Sequence, residues 1–450
     1  MEKGQPGPMR AISRCLAQLA LIGLLLAACE LSPAPPVPVP AQPAPTSAPT
    51  SRPVTPRPTA APAATTILEP VAPAGALVLW AVAAGAQLDA LKRLTAELSQ
   101  PIGIEIVVIG KSANGLQADI RANALAGLPL PDMILGTQDD LGILQRGDLL
   151  LPAGDGLDPA AFIPALITGS TIAGQRWGTP LAAQGALLLL YNRRLAPTAP
   201  QTTDELITRA RQLTGGERYG LVMAWAEPRW FVAWLNGFGG AAISSDGSPS
   251  LDTPQVVGAL NLLKELRASG PPAPSTYEEG VALFQQGRAA FAVDGDWSLA
   301  GYADYTDTLD LAIAPLPIIP ATGHSAASPL GGFYLMYGKS LAGARLDQAR
   351  AFGVALTQPT AQARIARDLA WLPALRAALA DPAVTTTPAL AAAAQQAEDA
   401  PGLPPNQALR CTWDAIKAEL PPLLLGELAQ EDAGHLMQAS ATNCIAGAQR

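Results

Sequence analysis

"GALVLWAVAAGAQLDALKRLTAELSQPIGIEIVVIG" occupies residues 75–110. Its ends, "GALVLWAV" (75–82) and "IGIEIVVIG" (102–110), are short apolar runs. The second is rich in β-branched residues, and both read as buried strands. Between them "QLDALKRLTAEL" (87–98) carries leucines at helical spacing. The alternation continues through "ANGLQADIRANALAG" (113–127), a helix, and "PDMILG" (131–136), a strand closed by Gly136. A βαβαβ order implies a parallel sheet with helices on its faces. Ligands of such sheets sit at the carboxyl ends of the strands, where strand order switches. Asp139 and Asp140 follow the third strand at such an end.

Upstream of this stretch the chain changes character. Arg10 and Arg14 precede "CLAQLALIGLLLAAC" (15–29), an apolar run that ends in small residues and reads as an export signal over residues 1–28. The run is too short and too abruptly ended for a good bilayer span. Residues 30–66, "ELSPAPPVPVPAQPAPTSAPTSRPVTPRPTAAPAATT", contain almost no large apolar side chains and cannot fold alone. Their prolines bias the chain to polyproline II, a semi-rigid spacer of about 3.1 Å per residue. The rest of the 450-residue chain is too long for one ordinary core and fits two lobes. A net charge of -8 and a pI of 4.9 argue against nucleic acid as a partner. Beyond Cys15 and Cys29 only Cys411 and Cys444 remain. An even pair in an exported domain fits a disulfide that staples the C-terminal segment; two buried free thiols are the alternative. Neither that spacing nor the company of His324 and His435 resembles a metal site, and no metal or cofactor is expected.

Downstream, "GTPLAAQGALLLLYNRR" (178–194) is a Pro-bearing approach to a long apolar strand. "TTDELITRARQL" (202–213) is a helix with Thr203 as its expected N-cap. "WAEPRWFVAWLNGFGG" (225–240) gathers three of the chain's eight tryptophans and two of its seven phenylalanines in a protein that is otherwise poor in aromatics. Rings at helical spacing pack a core; rings beside a carboxylate and a guanidinium can also form a recognition surface. "VVGALNLLKELRASG" (256–270) is an amphipathic helix, and "TYEEGVALFQQGRAAFAVDGDW" (276–297) reads as helix, glycine stop, strand and turn. "LDLAIAPLP" (309–317) is a further strand ended by prolines.

The order of these segments resembles the bacterial extracellular solute-binding proteins of the maltose-binding class. "LPDMILGTQDDLGILQRGDLL" (130–150), "GTPLAAQGALLLLYNRRL" (178–195), "AEPRWFVAWLNGFGG" (226–240), "EEGVALFQQGRAAFAVDGDW" (278–297) and "PLGGFYLMYGKS" (329–340) carry the resemblance in the right order. "LAAC" (26–29) resembles the lipobox of bacterial lipoproteins, in which the cysteine, here Cys29, is cleaved to the N-terminus and lipidated. The resemblance implies an α/β, two-lobe periplasmic-binding-protein fold with hinge crossings and an interlobe ligand cleft. The N-terminal lobe would comprise 67–182 plus 316–380, the C-terminal lobe 183–315 plus 381–450, with Ala182–Gln184 and Pro315–Pro317 as hinges. Residues 29–66 would be the lipid-bearing cysteine and its linker.

The implied function is a lipid-anchored receptor of an ABC importer, outside the cytoplasm and monomeric. It would capture a sugar or oligosaccharide by lobe closure and deliver it to permease subunits in the membrane. By matching position the ligand residues would be Asp139, Gln184, Glu227, Arg229, Trp230, Asp296, Trp297 and Trp413. Indoles would stack on sugar faces, while acids, amides and the guanidinium take hydroxyls. Asp139 could instead cap the following helix, and Arg229 could pair with Glu227. Asp294, Trp225 and Trp234 are expected to be structural. Gly136 stands where the maltose binder has a third stacking tryptophan. A surface glycoside hydrolase would use paired carboxylates, but no "GxSxG" elbow occurs and no enzyme is expected. A polyamine or an anionic sugar on the same fold is the remaining alternative.

Overall fold

The computed structural model describes residues 72–244, 246–269 and 276–448. The export signal, Cys29 and the proline-rich linker lie outside the described residues.

From the N-terminal side the chain forms β1 (Leu77–Val82), β2 (Ile106–Lys111), β3 (Met133–Thr137) and the two-residue β4 (Leu150–Leu151). It continues with β5 (Thr179–Gln184), β6 (Leu187–Asn192), β7 (Tyr219–Met223), β8 (Ala289–Gly295), β9 (Leu311–Ala314), β10 (Gly331–Gly338) and β11 (Leu372–Pro373). Two short ribbons, Thr171–Ile172 with Gln175–Arg176 and Ile318–Ile319 with His324–Ser325, stand apart. A 7-stranded sheet runs β11-β5-β10-β3-β1-β2, with β4 on the end of β10. The expected parallel unit is there: β1 lies between β2 and β3, parallel to both. β10 enters antiparallel between β3 and β5, so strand direction switches beside β3. A 4-stranded sheet follows the order β9-β6-β8-β7.

Three apolar clusters explain why these runs became strands. In β6 the four leucines Leu187–Leu190 are all 0% exposed, and they alternate between two cores. Leu187 and Leu189 join Trp234, Phe231 and Leu260; Leu188 and Leu190 join Phe284 and Ala292. A strand apolar on both faces has to be covered on both faces. In β1 Leu77, Leu79 and Ala81 face one core, while Trp80 faces another that continues into the small sheet. On the C-terminal side the helices Gln407–Leu425 and Gln430–Ala448 are joined by a disulfide between Cys411 and Cys444, their Cα atoms 5.6 Å apart.

The crossings between the sheets depart from expectation. Ala182 and Ala183 belong to β5, and only Gly185 and Ala186 separate it from β6. Pro315–Pro317 does not cross at all. Leu316, Ile319 and Ala326 bury themselves in the small-sheet core, and Ile318 N–H donates to Gln201 O at 2.9 Å. The second crossing is Ala327–Leu330, just before β10. Prolines end β9, but the apolar residues beyond them still have to be buried on the side they came from. The N-cap of the helix Thr203–Leu213 is Thr202, whose side chain accepts from Glu205 N, rather than Thr203.

Candidate functional site

A cavity of about 820 Å³ opens where β3, β5 and β8 end and β10 begins. The Thr137 hydroxyl caps the helix Gln138–Arg146, and Asp140 returns the bond to Thr137 N–H at 2.7 Å. Asp140 also accepts from Gln117 Nε2 at 2.8 Å. With the cap supplied by Thr137 and Asp140, Asp139 is left exposed on the cavity, with no hydrogen bond or ion pair among the described residues. Next to it Gln138 donates from Nε2 to Leu403 O at 2.5 Å, while its buried Oε1 has no partner. That oxygen points toward Gly169 and the equally unpartnered Tyr334 hydroxyl, neither of which lines the cavity.

Gln184, the last residue of β5, lines the same space. So do Arg229 and Asp296. Burial pushes the Asp296 carboxyl above its ordinary value, opposed by the Ala186 and Gly185 N–H groups and by the Arg229 charge. Burial likewise lowers the Arg229 guanidinium, opposed by Asp296 and Asp139. Trp297 follows Asp296 and remains 50% exposed, its indole across Gly295. A Cβ on residue 295 would lie 2.2 Å from that ring, so only glycine provides this bed. Trp413 is half-buried on the helix Gln407–Leu425 and lines the cavity with its neighbour Asp414.

Two expected site residues are not on the cavity. Trp230 is 6% exposed; its Nε1 donates to Val293 O at 2.8 Å and its ring meets Trp297 edge-on at 6.1 Å. The helix Pro228–Gly237 turns Trp230 and Trp234 together into the core, because positions four apart share a face. Glu227 caps nothing and pairs with Lys417 Nζ at 2.8 Å, so it is not the partner of Arg229 either. Asp294 is buried and accepts from the Tyr277 hydroxyl at 2.9 Å and from the Tyr302 hydroxyl, a structural role. Gly136 is buried; a side chain there would run into Asp140 and Met336, which leaves no room for a third indole. Sequence reasoning missed Gln117, Gln138, Arg146, Arg410 and Asp414. Two had a local signal: Gln138 adjoins Asp139, and Asp414 adjoins Trp413.

The lining charges balance: Asp139, Asp296 and Asp414 face Arg146, Arg229 and Arg410. Together with one exposed and one half-buried indole this describes a recess for a neutral, hydroxyl-rich ring compound.

Residues 91–392 match the family described as bacterial extracellular solute-binding protein. A maltotriose-binding protein of Pyrococcus abyssi is 25% identical over 304 residues, which are 65% of this chain and 66% of that protein. The chain thus spans a little under two thirds of that relative's length. Among solved structures, a cyclo/maltodextrin-binding protein complexed with maltotetraose superposes with a TM-score of 0.72 at 22% identity, covering 84% of this chain and 97% of that one. A maltose-binding periplasmic protein from Listeria monocytogenes in complex with maltose gives 0.72 at 17% identity, covering 82% and 98%. These superpositions make the α/β architecture a two-lobe binding-protein fold.

Proposed function

The chain belongs to the bacterial extracellular solute-binding protein family, and on that premise we propose that it is the substrate-binding receptor of an ABC importer. Its ligand is a sugar or oligosaccharide, held in the cavity where the two sheets meet. The observation that carries the reading is Trp297, left half exposed on a bed of glycine in a recess that Asp139 lines with no hydrogen bond or ion pair among the described residues. A sugar offers a C–H face to the indole and hydroxyls to the rim, and a buried aromatic anchor of this kind typically contributes about 2 kcal/mol or more. Names of relatives support this class of ligand: maltotriose for the Pyrococcus protein, galactooligosaccharides for one of Bacillus subtilis that is 21% identical over 369 residues. The balanced lining charge favours a neutral sugar over a polyamine or a uronic acid. Arg229 gives its Nη1 to the Gly185 and Pro329 carbonyls, which ties one end of its guanidinium to the backbone.

In this reading the lobes are 67–182 plus 331–380 and 183–326 plus 381–450, with 327–330 as the second crossing. Asp139, Gln184, Arg229, Asp296, Trp297 and Trp413 line the ligand space between them. The receptor works outside the cytoplasm as a monomer, tethered through lipidated Cys29 and its proline-rich linker, and hands the sugar to permease subunits without altering it. Calorimetric titration and thermal-shift screening against maltotriose, maltotetraose, a galactooligosaccharide, a uronic acid and spermidine test the ligand class. A bound sugar at a hundred times its Kd stabilises the native state by about 2.7 kcal/mol. The reading fails if no neutral sugar raises the melting point, or if reducing ends appear during incubation.

A further inference from the structure

Gly185 sits in the first crossing at φ +90 and has no strand partner of its own, yet both of its backbone groups are taken by side chains. Its N–H donates to Asp296 Oδ2 at 2.9 Å and Oδ1 at 3.2 Å, and Ala186 N–H donates to Oδ2 at 3.2 Å. Asp296 N–H returns a bond to Ala186 O at 2.9 Å. The Gly185 carbonyl accepts from the Ser328 hydroxyl at 3.0 Å and from Arg229 at 3.2 Å. The same Arg229 nitrogen donates to Pro329 O at 2.6 Å, and Ser328 Oγ accepts from Leu187 N–H at 2.8 Å. Arg229 and Ser328 thus fasten the two chain crossings to each other, and Asp296 fixes the first of them. Asp296 and Arg229 line the ligand cavity, and Arg229 lies 5.9 Å from the Trp297 ring. Ser328 is buried and does not line the cavity.

We propose that Asp296, Arg229 and Ser328 form a clasp that sets the geometry of both crossings, and that they are positioning residues through which occupancy at Trp297 is coupled to lobe closure. The inference rests on the receptor reading for its ligand, but not for the clasp itself. Buried backbone groups have to be paired. Pairing them with side chains rather than with a neighbouring strand lets the bonds re-form at a different angle as the crossing torsions change, which hinge closure requires. Trp297 is peptide-bonded to Asp296, so a ring pressed on the indole bears directly on the residue that holds Gly185 and Ala186. Gly185 is fitted to the arrangement: a Cβ there would lie 2.9 Å from Arg229 Nη1.

Backbone amide hydrogen exchange and small-angle scattering of the full chain, with and without maltotriose, test this on D296A, D296N and S328A. D296A should raise exchange at Gly185 and Ala186 about tenfold and weaken the ligand-induced compaction. D296N keeps one oxygen able to accept both N–H groups and should leave ligand-free exchange at Gly185 and Ala186 within about twofold of the unsubstituted protein, whatever it does to affinity. S328A should raise exchange at Leu187 and lower maltotriose affinity about fivefold to tenfold, the scale of one hydrogen bond, although Ser328 cannot touch the ligand. If D296A and S328A leave exchange at the crossing unchanged, and D296A alters only affinity, Asp296 is a direct ligand contact and the clasp is refuted. If D296A does not fold, S328A and D296N decide on the same readouts. If maltotriose does not bind, the ligand-free exchange still settles the clasp, while the receptor reading alone falls.

Discussion

Two groups of tryptophans in this chain have opposite fates. Trp225, Trp230 and Trp234 lie close together in sequence and all go into the core, Trp234 at 0% exposure. Trp297 and Trp413 stand alone in sequence and meet at one cavity. The difference is geometric. A helix repeats its buried face every three to four residues, so rings clustered at that spacing are captured together by one core. A ring just past the end of a strand is not held in such a repeat: Trp297 lies across Gly295, meets Trp230 edge-on and stays half exposed. The density of aromatics therefore marked the core of the small-sheet side, but isolation alone did not mark the recess: Trp80 and Trp371 also stand alone in sequence and are 3% and 9% exposed, whereas Trp297 and Trp413 line the cavity.

The sharpest way to break this contrast is W234A. It should destabilise the protein by about 3–5 kcal/mol in urea unfolding, as for other large core truncations, while folded protein keeps its maltotriose affinity. An affinity loss in the folded fraction would erase the distinction. Removing the Cys411–Cys444 bridge comes next. C411A with C444A should cost about 2–4 kcal/mol by the same measurement, and maltotriose affinity should fall as well, because Trp413 sits on the stapled helix. W297A should reverse the pattern of W234A. Stability should change by less than about 0.5 kcal/mol, as at exposed sites, while calorimetric affinity falls about thirtyfold, roughly 2 kcal/mol. Smallest is E227Q. Its exposed pair with Lys417 is worth about 0.2–1 kcal/mol, and sugar affinity should be unmoved; a large loss would return Glu227 to the ligand set.

Much of the fold was readable before any coordinates. Periodicity alone placed β1, the first helix, β2 and β3 in their parallel order, because alternating short apolar runs and leucine-spaced helices have few other ways to be buried. The apolar run of β6 likewise announced a strand covered on both faces. Segment order carried the two-lobe reading. Asp139 was legible as a residue at a strand end, but its freedom was not. That depends on Thr137 and Asp140 closing a capping box between them, a detail of side-chain rotamers. The second crossing was misread because prolines mark the end of a strand without saying which core the following residues join. That Glu227 lies off the cavity and pairs with Lys417, 190 residues away, was not legible either.

By itself, then, the sequence determined which segments become strands and helices, how many cores they need, and that rings and acids fall near strand ends. These depend on local spacing and on the apolar content of each run, and both are written along the chain. Tertiary structure alone decided which rings and carboxylates reach a common cavity, which are consumed by neighbours, and that Asp296, Arg229 and Ser328 converge on Gly185. Such convergence joins residues up to 143 positions apart. Hydrogen-bond pairing over that separation depends on the packed arrangement of both sheets, and no local pattern encodes it.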